Sequence, residues 1–263
     1  MKSDNRYLGA IFIAPIIIFI FLGGLPLKLL TIALSVIGLH EFYNAVKNKN
    51  FKPISYIGYI LIACLYLVDG YDKILLILIL ATIIALIIPV INLKITFIDS
   101  ALTIIGFVYV AFLFSFLPAI DSMEGGRFLI WLVFLGSWGA DTAAYYAGRL
   151  FGKRKLCPEV SPKKTVEGSI GGLLGSALLC GIYGMIVSKY VPHVAVIHFV
   201  IIGLLTGVAG QFGDLVASSI KRYVGIKDYS NLIPGHGGIL DRFDSILFNA
   251  LVVFYYLALV LVL

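Results

Sequence analysis

Long uninterrupted runs of apolar residues, separated by short polar segments, dominate this sequence. The runs are long enough to cross a hydrocarbon layer about 30 Å thick as helices, and the charged residues are gathered between them. None has the strict alternation of polar and apolar residues that is typical of a transmembrane β-strand. The pattern therefore predicts an all-α fold, a polytopic bundle of transmembrane helices.

We expect about nine spans along the chain. They are placed at residues 8–23, 26–46, 54–69, 74–92, 100–120, 127–148, 168–189, 195–213 and 246–263. Pro15 and Pro89 interrupt two of these runs, so counts of eight or ten stay open. A cleavable signal peptide is the alternative for the first run, although no small-residue cleavage site follows it clearly.

Glycine pairs at four-residue spacing occur in the seventh and eighth predicted spans. They are Gly168 with Gly172, Gly171 with Gly175, and Gly203 with Gly207. This spacing lets two helix backbones approach closely, so we expect the last spans to form a compact unit. We divide the chain into an N-terminal membrane region, 1–120, and a C-terminal region, 121–263, with polar loops at 149–167 and 214–245.

Composition and charge agree with a membrane protein and indicate its orientation. Hydrophobic residues make up 60% of the chain and charged residues 13%, against roughly 25% charged residues in soluble domains. With the N-terminus in the cytosol, sixteen of the twenty lysine and arginine residues face the cytosol, as the positive-inside rule requires. We therefore expect a multi-pass protein of the cell membrane with both polar loops in the cytosol. The cysteines Cys64, Cys157 and Cys180 lack metal-binding spacing and are interpreted as free thiols.

The loop 149–167 ends in a group of polar side chains placed directly before a predicted helix. The group consists of Ser161, Lys163, Lys164, Thr165 and Glu167. Backbone N–H groups and the positive end of a helix dipole favour an anion at this position. The group therefore predicts a phosphate site, and the alternative is a basic patch that only attracts anionic lipid headgroups.

Two acidic residues lie inside predicted spans. An ionised carboxylate in hydrocarbon costs about 2.5–3.5 kcal/mol, so each must face protein, water or a cation. Asp141 lies one turn before Tyr145 on the same helical face, and we interpret it as a ligand or orienting group, with a structural ion pair as the alternative. For Glu41, which follows His40, helix-end snorkelling and a functional role both stay open.

The loop 214–245 combines carboxylates, cations and glycines. Its carboxylates Asp214, Asp241 and Asp244 are hard oxygen ligands that suit Mg²⁺. The turn from Pro234 to Gly238 has few side chains, so its backbone N–H groups can approach phosphate oxygens. Together with the cations, these features predict phosphoryl or nucleotidyl transfer, and the alternative is a loop of surface salt bridges.

At these residues the chain resembles the phosphatidate cytidylyltransferases, also called CDP-diacylglycerol synthases. The family signature K-R-x4-K-D-x-S, P-x-H-G-G and D-R-x-D is complete: Lys221, Arg222, Lys227, Asp228, Ser230, Pro234, His236, Gly237, Gly238, Asp241, Arg242 and Asp244. Two upstream elements match as well, D-x-x-A-Y-x-x-G from Asp141 to Gly148 and S-P-x-K-T-x-E-G from Ser161 to Gly168.

The resemblance implies a reaction and its partners. The reaction is that of CTP with phosphatidate, giving CDP-diacylglycerol and pyrophosphate at the lipid bilayer. It depends on Mg²⁺, and the resemblance also implies a second, monovalent cation such as K⁺ and a homodimer. No nucleic-acid partner is predicted.

The site residues follow from the resemblance combined with the residue chemistry. Asp214, Asp241 and Asp244 are assigned as metal ligands, with Asp141 as a further candidate. The catalytic group is Asp214, Lys221, Arg222, His236, Asp241, Arg242 and Asp244. Substrate binding is assigned to Ser161, Lys163, Lys164, Thr165, Glu167, Lys227, Asp228, Ser230, Gly237 and Gly238. We expect the catalytic site to be shared among the last four spans.

Two rival functions are weighed against this interpretation. The nearer one is a CTP-dependent lipid kinase of the dolichol kinase type, which transfers only the terminal phosphate of CTP. The other is a transporter, suggested by the acidic residues inside spans. A transporter would favour discontinuous helices or matching repeats, and the sequence has neither.

Overall fold

The computed structural model describes residues 16–68, 70–233 and 235–261, with the side chain of Tyr71 excepted. Residues 16–22 are helical. Residues 8–15 of the first predicted span, the signal-peptide alternative and Pro234 of the predicted glycine turn lie outside the described residues.

Helices make up most of the described chain, which confirms the all-α membrane fold. Seven of them are long and apolar enough to cross a membrane: Gly24–Lys47, Asp72–Ile91, Phe97–Asp121, Gly126–Phe151, Val166–Val187, Val196–Val224 and Leu240–Leu261. An eighth apolar helix, Ser55–Leu67, is shorter. These eight helices correspond to the second to ninth predicted spans.

The elements follow one another in a simple order. The first part contains α1 (Gly24–Lys47), α2 (Ser55–Leu67), α3 (Tyr71–Ile91), α4 (Phe97–Gly106), a π-helical segment (Phe107–Phe112), α5 (Leu113–Asp121) and α6 (Gly126–Leu129). The second part contains α7 (Trp131–Phe151), β1 (Lys155–Cys157), β2 (Ser161–Thr165), α8 (Val166–Val187), α9 (Val196–Val224), α10 (Leu240–Tyr256) and a π-helical segment (Leu257–Leu261).

The described chain forms two compact units. The first unit contains the residues up to Ser115 together with Tyr223–Arg242. The second unit contains Phe116–Arg222 and the residues from Phe243 onwards. The segment Tyr223–Arg242 therefore packs with the N-terminal helices, whereas the sequence-based division placed it with the C-terminal region. Order along the chain could not reveal this, because the segment is separated from its packing partners by more than a hundred residues.

Aromatic and polar contacts between helices hold the first unit together. The hydroxyl of Tyr43 on α1 donates to the backbone oxygen of Thr103 on α4 at 2.8 Å. Helix α4 begins with a capping box between Thr96 and Asp99. Asp99 also accepts a hydrogen bond from the backbone N–H of Lys52 at 2.5 Å. The hydroxyl of Tyr43 and the carboxylate of Asp99 are thus hydrogen-bonded inside the unit, as an apolar environment requires.

Small residues bring the helices of the second unit into close contact. A Cβ added at Gly171 or Gly175 on α8 would lie 2.3 or 2.2 Å from an alanine Cβ on α7. At Gly203 on α9, an added Cβ would lie 2.7 Å from the Cα of Ala177 on α8. The predicted close packing at these glycines is therefore confirmed.

Both predicted polar loops contain more regular structure than the sequence indicated. Helix α9 continues to Val224 and α10 begins at Leu240, so the part of the 214–245 loop that is not helical is residues 225–239. The predicted span ended at 213 because hydropathy falls there. The helix nevertheless continues, and Lys221 and Arg222 lie in its last turn, where cations interact favourably with the negative end of the helix dipole.

The loop 149–167 also differs from its prediction. Helix α7 continues to Phe151, and β1 and β2 then form an antiparallel hairpin in which Lys155 is opposite Thr165 and Cys157 is opposite Ser161. The sequence did not predict this hairpin, because strands of three and five residues are too short for a clear alternating pattern. Strand β2, which contains the predicted phosphate-site residues Ser161 to Thr165, leads directly into α8.

Candidate active site

Acidic side chains from three helices interact in the second unit. Asp141 lies on α7, Asp214 on α9 and Asp244 on α10. Asp244 is only 8% exposed, and its carboxylate interacts electrostatically with Asp214 and Asp141 and with the cation of Lys221. Three of the predicted metal ligands and one predicted catalytic cation therefore lie within electrostatic reach of one another.

An ion pair connects this acidic group to the hairpin. The ammonium Nζ of Lys164 lies 2.5 Å from Oδ2 of Asp214. The hydroxyl of Ser218, one turn further along α9, donates to Oδ1 of Asp214 at 3.4 Å. A predicted phosphate ligand and a predicted metal ligand are thus direct partners in this structure.

A cavity of about 380 Å³ opens beside the ion pair, a volume within the usual range for small-molecule sites. Its polar lining residues are Asp141, Tyr145, Arg149, Lys163, Lys164, Thr165, Ser169 and Gln211. Ser169 donates a hydrogen bond to Gln211, whose amide nitrogen donates to the backbone oxygen of Gly207 at 2.9 Å. The lining thus combines one carboxylate with three cations, which suits a polyphosphate that carries a cation.

Sequence reasoning had not selected Arg149, Ser169 or Gln211 as site residues. Gln211 carried a usable signal, because it is a polar residue at the end of an apolar run, three positions before Asp214 on the same helical face. Ser169 had a weaker signal, since a serine inside a glycine-rich helix start is common in membrane helices.

The start of α8 is organised by Thr165 and Glu167. The hydroxyl oxygen of Thr165 caps the helix by accepting the N–H of Gly168 at 3.1 Å. The carboxylate of Glu167 accepts the N–H groups of Lys153 at 3.0 Å and Arg154 at 3.2 Å. Thr165 lines the cavity, whereas Glu167 and Ser161 do not; Glu167 instead holds the chain that enters the hairpin.

The described signature residues between Lys227 and Arg242 belong to the first unit, where Asp241 organises the loop 225–239. Its Oδ2 accepts the N–H of Tyr229 at 2.7 Å and the N–H of Gly238 at 2.9 Å. Gly237 has a φ of +83°, and a Cβ there would lie 2.9 Å from the same oxygen. The N–H of Gly238, which the sequence suggested for phosphate contact, is therefore donated to a carboxylate of the protein.

A sequence model of the Cytidylyltransferase family matches residues 4–260. The chain belongs to this family. A phosphatidate cytidylyltransferase of Bacillus subtilis (strain 168) is 33% identical over 255 residues, which cover 92% of this chain and 94% of the relative. Proteins of the same name from Staphylococcus saprophyticus and Staphylococcus aureus (strain COL) are 43% and 40% identical. Their matched regions of 155 and 157 residues each cover 59% of this chain and 58% of the relative.

This membership confirms the resemblance and the enzyme class, a nucleotidyltransferase. The other predicted site residues differ in exposure and are divided between the two units. Lys227, Asp228, Arg222 and Arg242 are exposed, whereas Ser230, His236 and Lys221 are half-buried. Lys221 and Arg222 end the part of α9 in the second unit, and the others belong to the first unit. Their assigned roles stay predictions.

The carboxylates of the second unit would suit a cation that the substrate helps to coordinate. Within residues 16–68, 70–233 and 235–261, no three His, Cys, Asp or Glu side chains are grouped closely enough to hold a metal ion. Mg²⁺, however, usually takes only one or two carboxylates and completes its shell with water and substrate phosphates. Asp214, Asp244 and Asp141 stay predicted ligands of this kind, and so does Asp241, whose Oδ2 is engaged in the loop.

Proposed function

We propose that this enzyme transfers the cytidylyl group of CTP to phosphatidate, giving CDP-diacylglycerol and pyrophosphate. Family membership and the name shared by its relatives support this proposal. The observation that carries it is the cavity of the second unit, where Asp141 lies among Arg149, Lys163 and Lys164. Such a lining provides cations for phosphates and a carboxylate for a metal.

The reaction requires little covalent chemistry from the protein. A phosphate oxygen of phosphatidate attacks the α-phosphorus of CTP and forms a new P–O bond. The bond between the α-phosphorus and the bridging oxygen breaks, and pyrophosphate leaves with the electron pair. Since both substrates are polyanions, their charges must be neutralised before the reacting atoms can meet. In this proposal Arg149, Lys163 and Lys164, which line the cavity, supply the positive charge.

A divalent cation, Mg²⁺ in our proposal, would be held by Asp214 and Asp244 with Asp141 nearby. When bound, it supplies Lewis-acid stabilisation of the charge that develops on the phosphate oxygens. Lys164 balances the charge of Asp214 before substrate enters, and it then turns to a phosphate oxygen. Ser218 keeps Asp214 oriented through its hydrogen bond at 3.4 Å.

The proposed site lies on the cytosolic side of the membrane, where CTP enters from water and phosphatidate from the leaflet. The distribution of the cations supports this orientation through the positive-inside rule. A monovalent cation beside the Mg²⁺ and a homodimer are also part of the proposal, and both rest on the family resemblance alone.

The decisive experiment follows two labels of CTP with purified protein, phosphatidate and Mg²⁺ in detergent. Cytidylyl transfer places a cytidine label in the lipid fraction and releases the γ-phosphate label as pyrophosphate. A lipid that receives only the γ-phosphate label would instead identify a CTP-dependent lipid kinase and overturn the proposal. A reaction without phosphatidate is the control for CTP hydrolysis.

A further inference from the structure

Glu41 on α1 is a buried carboxylate that the reaction scheme above does not use. It lies in the first unit, and only 4% of the residue is exposed. A buried carboxylate is costly unless hydrogen-bond donors surround it. The burial also rules out snorkelling to the membrane surface, one of the two interpretations that the sequence left open.

The donors to Glu41 all come from the signature segment that leads into α10. Its Oε1 accepts the hydroxyl of Ser230 at 2.6 Å and the N–H of Ile239 at 3.0 Å. Its Oε2 accepts the N–H of Leu240 at 2.8 Å. Both carboxylate oxygens are thus engaged by residues that are about 190 to 200 positions away in sequence.

These contacts make Glu41 a cap for α10 that is supplied by another helix. The first N–H groups of a helix lack partners within the helix, and the helix dipole favours negative charge there. Ile239 and Leu240 are these positions in α10, which begins at Leu240. The start of α10 also packs directly against α1, because a Cβ at Gly38 on α1 would be 3.2 Å from a methyl carbon of Leu240.

Gly238 lies between the carboxylates of Glu41 and Asp241. A Cβ at Gly238 would lie 2.5 Å from Oε1 of Glu41, so a side chain there would displace the carboxylate. Its N–H is donated to Asp241 at 2.9 Å. The absence of a side chain at Gly238 therefore has a structural reason that does not involve phosphate: it makes room for Glu41.

We propose that Glu41 is a positioning residue, which holds the loop 225–239 and the first turn of α10 in the conformation that presents Asp241. This inference rests on the proposed function in so far as Asp241 serves catalysis. Glutamine cannot replace Glu41, because its NH₂ group would face the N–H of Leu240 or the donors at Oε1. Aspartate is one methylene too short to reach all three donors.

The test combines hydrogen exchange with kinetics on three variants, Glu41→Gln, Glu41→Asp and Ser230→Ala. In Glu41→Gln, we expect peptide amides in 229–240 to exchange at least about 10-fold faster, while α7 and α8 exchange as in the wild type. We expect kcat to fall by about 10- to 100-fold, with the KM for CTP changed by less than about threefold. Glu41→Asp and Ser230→Ala should give smaller changes of the same kind.

The control is Glu124→Gln, the same chemical change at a side chain that is 78% exposed. It should leave both exchange and kinetics unchanged. Unchanged exchange at 229–240 in Glu41→Gln would overturn the positioning role, whatever happens to activity. If exchange is faster in Glu41→Gln but the wild-type protein makes no CDP-diacylglycerol, the positioning role is supported and the proposed function is rejected.

Discussion

Lys164 and Asp214 form an ion pair, with Nζ and Oδ2 2.5 Å apart, between the end of β2 and the middle of α9. The two side chains are 26% and 34% exposed, and Lys164 lines the adjoining cavity. A partly exposed pair of this kind contributes little to stability. In our proposal its importance is chemical, because it places a cation assigned to a substrate phosphate beside a carboxylate assigned to a metal ion.

Replacing Lys164 by alanine should impair catalysis more than folding. A hydrogen bond to a charged group contributes about 1.5–3 kcal/mol, so kcat/KM should fall by roughly 10- to 150-fold. Steady-state kinetics with CTP as the varied substrate measures this loss. The matched control is Lys155→Ala, an exposed lysine of β1 in the same hairpin, which should stay within about twofold of the wild type. Equal losses in both variants would contradict a specific role for Lys164.

Replacing Asp244 by asparagine should abolish most Mg²⁺-dependent turnover. The change keeps the shape of the side chain but removes the charge that attracts the cation. Because metal catalysis supplies several kcal/mol, we expect kcat to fall by about 100-fold or more. The Mg²⁺ concentration for half-maximal rate should rise as well. Initial rates over a Mg²⁺ titration measure both effects.

Asp72→Asn is the control for this experiment, because Asp72 is exposed at the start of α3. Its Mg²⁺ titration should match that of the wild type. If the Asp244→Asn variant is folded in the membrane and retains turnover within a few fold of the wild type, Asp244 is not a metal ligand. The same comparison applies to Asp241→Asn, whose predicted ligand role is open to the same test.

Replacing Gly175 by leucine should destabilise the second unit. Even a Cβ at this position would lie 2.2 Å from the Cβ of Ala143 on α7, so the two helices must separate. Overpacking of this kind costs about 1–3 kcal/mol. Thermal unfolding in detergent should show a lower Tm. Leu178→Met on the same helix is the control, since Leu178 is 66% exposed; an equal fall in Tm would argue against the packing explanation.

The orientation of the chain can be tested with Cys157, a free thiol of the hairpin. A membrane-impermeant maleimide should fail to label Cys157 in intact cells and should label it after permeabilisation, because positive segments stay in the cytosol. The variant Glu124→Cys, on the opposite side of the membrane in the predicted topology, should be labelled in intact cells. Labelling of Cys157 in intact cells would show that the predicted orientation is wrong.

Much of the fold was predictable, because lipid imposes simple rules on a sequence. Runs of apolar residues became helices at the expected places, and the glycine pairs marked the close contact of α7 with α8. The rules failed where hydropathy falls. Helix α9 continues past Asp214 to Val224 although its residues become polar. Hydropathy reports the lipid boundary, whereas a helix ends where its hydrogen bonds and packing end.

The sequence by itself determined the membrane fold, the family and the polar residues of its signature, since each depends on local pattern and residue identity. Only the tertiary structure decided which of these residues are partners. Lys164 pairs with Asp214, and Glu41 caps α10 across about 200 residues of chain. Such pairings depend on how helices pack in three dimensions, and no spacing along the chain encodes them. The ion pair beside the cavity is therefore a property of the fold.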